Sequence, residues 1–475
     1  MKNHRIGIVR RVFLCGQKID GPKMKVILPA GKTKEDYPQL ARPVFQNATI
    51  VTGPVEIVGG IIKTEGCSYQ DLRLAAAPKV IQRLQSRTNC VLKLDTTIQN
   101  KVLALRRLVW TVVYFAQTVF NPHSKQLFEE VDDIIFKALK VLFPFIEPAA
   151  HTSTLSKPIE DGGLGFMRMS DVCYDLQAKL MIAAEPYLKY FNLAPMNAPP
   201  VVDKPIRYIW RMQSGTSKNA FNRDGYTFTK VDFNSFWDCR PATKLTRIPD
   251  DVYTHAVKIH LDALQPFPGK CLKDATRCAN PDFMTWSNET FTRHSTTCQE
   301  CVQAMIYARH EAVVDAIRKT NKFYGVPTHI PRITEFPLPD NSRGGPDIMI
   351  FGKEKGDAVD VTITTVDKVR PGEKFSSSLK AVFDAKMRKY EDFQVATQYR
   401  IVPFVMSHVG IIARETRALT KQWSESAADH QFLFDLYNHV QIALIKSQYD
   451  MFNYFKNCND RRVLESIEGT VVTGK

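Results

Sequence analysis

The chain has 475 residues, which is enough for two or three domains with sizeable hydrophobic cores. Lys and Arg number 64 and Asp and Glu 49, and this net charge of +15 favours a polyanionic partner such as nucleic acid. The ten cysteines are scattered apart from one group at 271–301, which argues against a disulfide framework and for a reducing compartment. No apolar run reaches the ~18 residues that would span a bilayer, and the first residues lack the apolar core of a signal peptide. The composition therefore predicts an intracellular protein with no membrane segment.

The first half of the chain changes from a strand-like to a helical pattern. Residues 1–65 are basic and contain short β-branched runs. Residues 66–200 are helical, because apolar residues recur at three- and four-residue spacing on both sides of the glycine-rich stretch 162–165. Residues 201–265 are richer in Pro and polar residues, and they predict a linker or a small helical subdomain.

A group of cysteines and histidines follows in residues 266–303. Its candidate ligands are Cys271, Cys278, His294, Cys298 and Cys301. Thiolates and imidazole at such short range can form a tetrahedral Zn²⁺ site, and the segment has few apolar residues with which to hold itself folded. The preferred ligands are Cys271, Cys278, His294 and Cys298, with Cys301 as the alternate. A loop-rich connector with a few reduced cysteines is the other interpretation.

Residues 304–475 predict an α/β unit that carries two acidic residues on a hairpin. Ile348–Phe351 is an apolar run, a charged loop follows, and Ala358–Thr364 is a β-branched run. With this loop as the turn, Asp347 and Asp360 face each other across the two strands, with Cβ atoms about 5 Å apart. Two carboxylates that close repel each other unless a proton or a cation lies between them, and their oxygens suit Mg²⁺.

A lysine on the next predicted helix can complete this site. Lys386 lies near the middle of an apolar stripe rather than on the solvent side of the helix. The stripe consists of Leu379, Val382, Phe383, Met387 and Tyr390. An inward lysine is explained if its ammonium meets a metal site, where it orients the attacking water or stabilises charge on a scissile phosphate. Lys389, about one turn away at the edge of the stripe, is the second candidate.

These features, taken in order, resemble the C-terminal half of a non-LTR retrotransposon polyprotein. The order is a helical region in which Leu155–Pro158 leads into Gly162–Gly165, the Cys/His group, Arg309-His310, Pro346-Asp347, Asp360 and Lys386. In that lineage a reverse transcriptase thumb is followed by a zinc knuckle and a restriction-like endonuclease of the PD-(D/E)xK superfamily. The most specific part of the resemblance is Pro346-Asp347, twelve intervening residues and Asp360.

The resemblance implies a multidomain α+β fold. Its expected parts are a strand-rich palm remnant (1–65), a helical thumb-like region (66–200), a linker or small helical subdomain (201–265), a zinc knuckle (266–303) and an α/β restriction-endonuclease-like domain (304–475). A polymerase palm would need a paired-aspartate strand motif, which we do not find. The pair Asp132-Asp133 falls in an amphipathic helix and is expected on its solvated face. Reverse transcriptase activity is therefore not expected of this chain alone.

The resemblance also implies roles for individual residues. Asp347 and Asp360 would bind Mg²⁺ or Mn²⁺, and Lys386 would complete the catalytic set. Most nucleases of this superfamily carry the lysine two residues after the second acid, where this chain has Thr362, so Lys386 would be a migrated lysine. The pair Arg309-His310 would head a helix that contributes to the site or to DNA binding.

The implied function is nicking of a DNA target in the nucleus for target-primed reverse transcription, with the element RNA as an open second partner. One active site per chain nicks one strand, so cleavage of both strands would require a second subunit or a second binding event, and homo-oligomerisation stays open. One alternative is a catalytically inactive nucleic-acid-binding remnant. Another is an assembly protein whose basic charge serves solubility only.

Overall fold

A computed structural model describes residues 25–27, 33–41, 49–51, 55–57, 60–62, 69–117, 125–156, 163–166, 168–170, 239–261, 263–269, 271, 283–332, 345–351, 356–364, 375–397, 399–427, 429 and 431–472. These residues fall into two compact units, one within 1–91, 107–136 and 168–203 and the other within 92–106, 137–167 and 204–475. The structure mixes helices with a four-stranded sheet, in agreement with the predicted α+β class. Within the described ranges, no helix is both long enough and apolar enough to cross a membrane.

The N-terminal part of the chain has short strands followed by long helices. The strands are β1 (Lys25–Ile27), β2 (Thr49–Val51), β3 (Val55–Ile57) and β4 (Gly60–Ile62), and the helices are α1 (Tyr69–Lys93), α2 (Ile98–Gln117), α3 (Lys125–Leu142) and α4 (Pro148–Ser156). β1 pairs in parallel with β2, whereas β3 and β4 are antiparallel. The change from strands to helices near residue 65 coincides with the change from a strand-like to a helical pattern in the sequence.

The expectation of a solvated Asp132 is wrong. Its side chain in α3 is buried, and its carboxylate accepts hydrogen bonds from the Met169 N–H at 2.6 Å and from the N–H and hydroxyl of Ser170 at 3.1 and 2.6 Å. Burial raises the pKa of Asp132 to about 6. Met169 and Ser170 begin a helical turn, whose first N–H groups need an acceptor outside the helix. Periodicity alone could not reveal that a segment 37 residues later covers this face.

The C-terminal part of the chain contains the four-stranded sheet. Its helices are α5 (Asp250–His260), α6 (Asn288–Thr297), α7 (Gln299–Phe323), α8 (Phe375–Lys389), α9 (Glu391–Thr397), α10 (Arg414–Ala427) and α11 (Phe432–Val472), and its strands are β5 (Thr328–His329), β6 (Ile348–Phe351), β7 (Gly356–Thr364) and β8 (Arg400–Ser407). The two hairpin strands and the helix that carries Lys386 occur where the sequence predicts them.

The sheet has the order β5-β6-β7-β8, with antiparallel pairing up to β7 and parallel pairing of β7 with β8. In the β6–β7 hairpin Ile348 pairs with Val359 and Phe351 with Gly356. A Cβ atom on Gly356 would lie 2.5 Å from the ring of Tyr399, so only glycine fits at the start of β7. This close approach holds Gly356 opposite Phe351, where the pairing of β6 with β7 ends.

Side chains alternate between the two faces of the sheet. One face packs on α7, α10 and α11 and carries Ile348, Ile350, Val359, Val361, Val402, Phe404 and Met406. The other face packs on α8 and α9 and carries Met349, Ala358, Ile401 and Val405. Asp347 and Asp360 are in phase with Met349 and Ala358, so the hairpin presents both acids toward the α8 side.

A third hairpin acid, Asp357, joins three elements in the interior. Nε and Nη2 of Arg400 at the start of β8 donate to its two oxygens at 2.8 and 2.5 Å, and Nε1 of Trp423 in α10 donates to Oδ2 at 2.5 Å. Asp357 is buried, and these donors compensate its charge. Its role is therefore structural, although its residue type is the same as that of Asp347 and Asp360.

We predict that Asp357→Ala lowers the free energy of unfolding by about 2 kcal/mol, because it removes the acceptor of the buried Trp423 N–H and the counterion of Arg400, whose side chain is 26% exposed. Urea denaturation of the full chain, followed by tryptophan fluorescence, measures the change. Asp315→Ala is the matched control, since it breaks ion pairs with Arg318 and Lys319 that lie near the surface and should cost about 1 kcal/mol or less. Equal losses in the two variants would contradict a structural role for the Asp357 cluster.

Candidate functional site

Among the described residues, no strand pairs with the β6 side of β7 beyond the end of β6. β7 has nine residues and β6 has four, and their pairing ends at Ile348 and Val359. Beyond that point the N–H and C=O of Val361 need other partners. Oδ2 of Asp347 accepts the Val361 N–H at 2.7 Å, and Nε2 of His310 lies 3.1 Å from the Val361 carbonyl oxygen. The open edge therefore brings Asp347 and His310 together.

His310 also contacts Asp347 directly. Its Nε2 lies 3.3 Å from Oδ2 of Asp347, and its Nδ1 lies 3.4 Å from a carboxylate oxygen of Glu311. The hydrogen bond with Asp347 raises the pKa of His310 to about 9, so the ring is positively charged at neutral pH. An imidazolium donates from both nitrogens, which matches the acceptors that surround it.

Asp360 lies opposite Asp347 in the hairpin register and is almost fully buried. Nζ of Lys386 in α8 lies 2.9 Å from its Oδ2, and the Thr362 hydroxyl donates to the same oxygen at 3.1 Å. The Tyr390 hydroxyl donates to Oδ1 at 2.6 Å. Both oxygens of Asp360 therefore have partners. Oδ2 contacts Lys386 and Thr362, and Oδ1 accepts from Tyr390, the residue that follows α8.

Two carboxylates and two cationic side chains balance each other at this site. His310 pairs with Asp347 and Lys386 with Asp360. Among the described residues none donates a hydrogen bond to Oδ1 of Asp347, whose side chain is 24% exposed. Partly exposed carboxylate oxygens are the ligands that hard divalent cations prefer. Oδ1 of Asp347 is therefore the carboxylate oxygen of this site that is open to a cation, whereas both oxygens of Asp360 already accept from Lys386, Thr362 and Tyr390.

The two candidate lysines have different surroundings. Lys386 is 27% exposed and contacts Asp360, whereas Lys389 is exposed on the surface of α8. Nζ of Lys389 lies 4.9 Å from the centre of the Tyr390 ring, a cation–π distance. Lys386 therefore points toward the sheet, as its helical phase predicts.

The expectation that Arg309-His310 heads a helix is wrong, because both residues lie in the middle of α7. Arg309 is buried, its Nη1 donates to the Thr296 carbonyl of α6 at 2.9 Å, and burial lowers the pKa of Arg309 to about 10. Helix α7 bends at Val302, where φ is −132° and ψ is 20°. Arg309 thus ties α7 to α6 across this bend, while His310 contributes to the carboxylate site.

Two residues of the site have roles that the sequence did not suggest. Tyr390 was counted in the apolar stripe of α8, and Thr362 only as the place where a lysine is absent. The ring of Tyr390 is buried in an apolar cluster, as the stripe predicts, but its hydroxyl meets Asp360. A tyrosine in a stripe whose other members are all apolar is the available signal, because a buried hydroxyl requires a polar partner.

A second group of side chains has the geometry of a metal centre. Cys271, His294, Cys298 and Cys301 place their ligand atoms within 4.8 Å of one another. Sγ of Cys271 lies 3.9 Å from Sγ of Cys298 and 3.7 Å from Sγ of Cys301, and Sγ of Cys301 lies 3.5 Å from Nε2 of His294. A tetrahedral Zn²⁺ separates its sulfur ligands by roughly 3.8 Å and sulfur from nitrogen by roughly 3.6 Å, given its usual bond lengths. The four side chains therefore fit zinc.

The local structure favours thiolates in this group. Cys298 separates α6 from α7, and Cys301 lies in the first turn of α7, where the helix dipole stabilises negative charge. Hydrogen bonding from Cys301, with a further contribution from His294, holds the pKa of Cys298 well below its usual range. Of the predicted ligands, Cys278 lies outside the described residues, and the alternate, Cys301, belongs to the group of four.

The segment was expected to have too few apolar residues to hold itself folded, but its described apolar residues pack on other parts of the chain. Phe283 and Phe291 form a core cluster with Ile259 of α5 and with Met451 and Phe455 of α11. The His294 ring lies 4.7 Å from the ring of Trp286 at its edge. A bound metal would therefore add to a hydrophobic core rather than replace one.

We predict that the purified full chain contains about one zinc per molecule, since four ligands saturate a structural site. Cys301→Ser should lose this zinc, whereas Cys278→Ser should keep it, because Cys301 already completes the group of four. Cys90→Ser removes an exposed cysteine elsewhere in the chain and is the matched control. Zinc analysis after dialysis against a chelator measures the difference. Loss of zinc in Cys278→Ser with retention in Cys301→Ser would reverse the assignment.

No protein-family model and no curated protein matches the chain. The functional interpretation therefore depends on the side-chain geometry of the two groups.

Proposed function

We propose that the chain is a metal-dependent DNA endonuclease. The observation that carries the proposal is the contact between Lys386 and Asp360, at 2.9 Å, beside an acid that the hairpin register places opposite. Two acids and one lysine on the same side of a sheet are the residue types that phosphodiester hydrolysis needs. The acids hold a cation, and the lysine stabilises charge on the phosphate.

Each residue of the site has a role in this proposal. Asp347 and Asp360 bind Mg²⁺ or Mn²⁺, which when bound polarises the phosphate and lowers the pKa of a coordinated water. Lys386 lies next to Asp360, and its ammonium stabilises negative charge that develops on the scissile phosphate. His310 orients the carboxylate of Asp347 through its contact with Oδ2. The expected product carries a free 3′-hydroxyl.

We further propose that the chain is the C-terminal part of a non-LTR retrotransposon protein. The order of the helical region, the Cys/His group and the two acids with their lysine supports this origin, as does the net charge of +15. The Cys/His group would be its zinc knuckle and the described residues after it the endonuclease. The implied partners are a DNA target and the element RNA, and the implied location is the nucleus.

A specific observation favours a second candidate function. Both carboxylates already have cationic partners, His310 and Lys386, so the arrangement is electrically balanced without a divalent ion. A chain with this balance can serve as a catalytically inactive nucleic-acid-binding remnant. Nicking and binding experiments separate the two functions.

We predict that the full chain nicks supercoiled plasmid DNA in the presence of Mg²⁺. Asp347→Ala and Asp360→Ala should abolish nicking, and Lys386→Ala should lower its rate by about 100-fold or more, since it removes one charge-stabilising donor. Lys389→Ala is the matched control, because it removes the same charge from the exposed face of the same helix.

The plasmid experiment has two contradicting outcomes. A rate that falls in Lys389→Ala but not in Lys386→Ala would overturn the assignment of the lysine. Absence of nicking by the wild-type chain in both Mg²⁺ and Mn²⁺, with DNA affinity intact, would leave the inactive remnant as the better interpretation.

We also predict that DNA binding depends steeply on salt and little on sequence. Each phosphate contact releases counterions, so affinity should fall by about 10³-fold or more between about 50 and 200 mM salt if six or more contacts form. Fluorescence anisotropy with duplexes of unrelated sequence, in Ca²⁺ to prevent cleavage, measures this dependence. An affinity that hardly changes with salt would favour the assembly-protein interpretation, in which the basic charge serves solubility.

A further inference from the structure

Tyr390 lies where a purely apolar residue would pack as well. Its side chain has no solvent exposure and shares a cluster with Met349, Ala358, Phe393 and Ile401. Phenylalanine would fill this space, whereas a buried hydroxyl costs free energy unless it is hydrogen-bonded. The Tyr390 hydroxyl has two such contacts, one with Asp360 and one with the Gly345 carbonyl.

The stronger contact is with Asp360. The Tyr390 hydroxyl lies 2.6 Å from Oδ1, while Lys386 and Thr362 contact Oδ2 at 2.9 and 3.1 Å. The two edges of the carboxylate are thus held by different donors. Such donors on both sides fix the plane of the carboxylate, and they leave the edge that carries Oδ2 facing Lys386.

The second contact reaches the backbone just before the other acid. The Tyr390 hydroxyl lies 3.2 Å from the carbonyl oxygen of Gly345, two residues before Asp347. A hydroxyl has one proton, which goes to the shorter contact with the charged oxygen of Asp360. The Gly345 contact is the weaker of the two. It places the backbone just before Asp347 against the hydroxyl that is hydrogen-bonded to Asp360.

We propose that Tyr390 is a positioning residue for the candidate metal site, which it serves by fixing the carboxylate of Asp360 relative to Lys386 and Asp347. This inference rests on the proposed function, since it assigns a metal-orienting role to a residue outside the two acids and the lysine. Hydrogen-bond partners of metal ligands orient those ligands, and their loss costs about 10- to 100-fold in metal affinity or activity.

The test is Tyr390→Phe in the full, zinc-loaded chain, with Mn²⁺ as the probe and no DNA present. We expect the dissociation constant for Mn²⁺, measured from the electron paramagnetic resonance signal of the free ion, to rise by about 10- to 100-fold. Nicking by Tyr390→Phe should need a correspondingly higher Mg²⁺ concentration and should recover when that concentration is supplied. A merely structural tyrosine would show no such rescue.

Tyr324→Phe is the matched control. Tyr324 also donates a 2.6 Å hydrogen bond to a carboxylate, Oδ2 of Asp435, in another part of the same unit. Both variants keep the aromatic ring and lose one hydroxyl that donates to a carboxylate. The Tyr324 hydrogen bond is part-buried and that of Tyr390 is buried, so the loss of melting temperature should be the smaller in Tyr324→Phe. Only Tyr390→Phe should change the affinity for Mn²⁺.

Two outcomes would count against the proposal in different ways. If Asp347→Ala and Asp360→Ala abolish Mn²⁺ binding while Tyr390→Phe binds as the wild type does, the role of Tyr390 is refuted and the metal site stands. If Asp347→Ala and Asp360→Ala bind Mn²⁺ as the wild type does, the carboxylates hold no cation, and the proposed function fails together with this inference.

Discussion

The carboxylate site depends on the unequal lengths of two paired strands. Because β7 continues past the end of β6, the N–H and C=O of Val361 lie at an edge that no strand of the described ranges completes. The Asp347 carboxylate and the His310 ring take the place of the missing strand. Asp347 is thereby held next to Asp360, and the charge of His310 offsets one of the two negative charges. The contacts that satisfy the Val361 backbone are therefore also the ones that place Asp347 and His310 in the site.

Helix α7 is shared by the two groups of functional side chains. Cys301 lies in its first turn, and His310 follows nine residues later, a rise of roughly 14 Å along a helix. Arg309 crosses the bend at Val302 to the end of α6, so the segment that holds the cysteines is fixed to the segment that holds His310. A division of the chain into a knuckle and an endonuclease domain near residue 303 would cut through this helix.

The sequence predicted those parts of the structure that follow from local patterns. An apolar run and a β-branched run with a charged loop between them predicted the register that places Asp347 opposite Asp360, and helical phase predicted the inward direction of Lys386. Features that depend on distant segments were missed. Asp132 was expected in solvent because no residue near it in the sequence indicates that Met169 and Ser170 cover it. The structural role of Asp357 depends on Arg400 and Trp423, which lie far from it in the sequence. The apolar stripe predicted that the ring of Tyr390 is buried, but it could not show that its hydroxyl contacts Asp360.

The hairpin register also determines which changes of length the site can absorb. The twelve residues between Asp347 and Asp360 comprise β6, the connecting turn and the first part of β7. Insertions in the turn would leave the strand pairs, and so the two acids, in place. Insertion of one residue in β7 before Asp360 would instead shift Asp360 to the opposite face of the sheet. The position of the acids on paired strands, rather than the number of residues between them, is what descendants of this sequence would have to preserve.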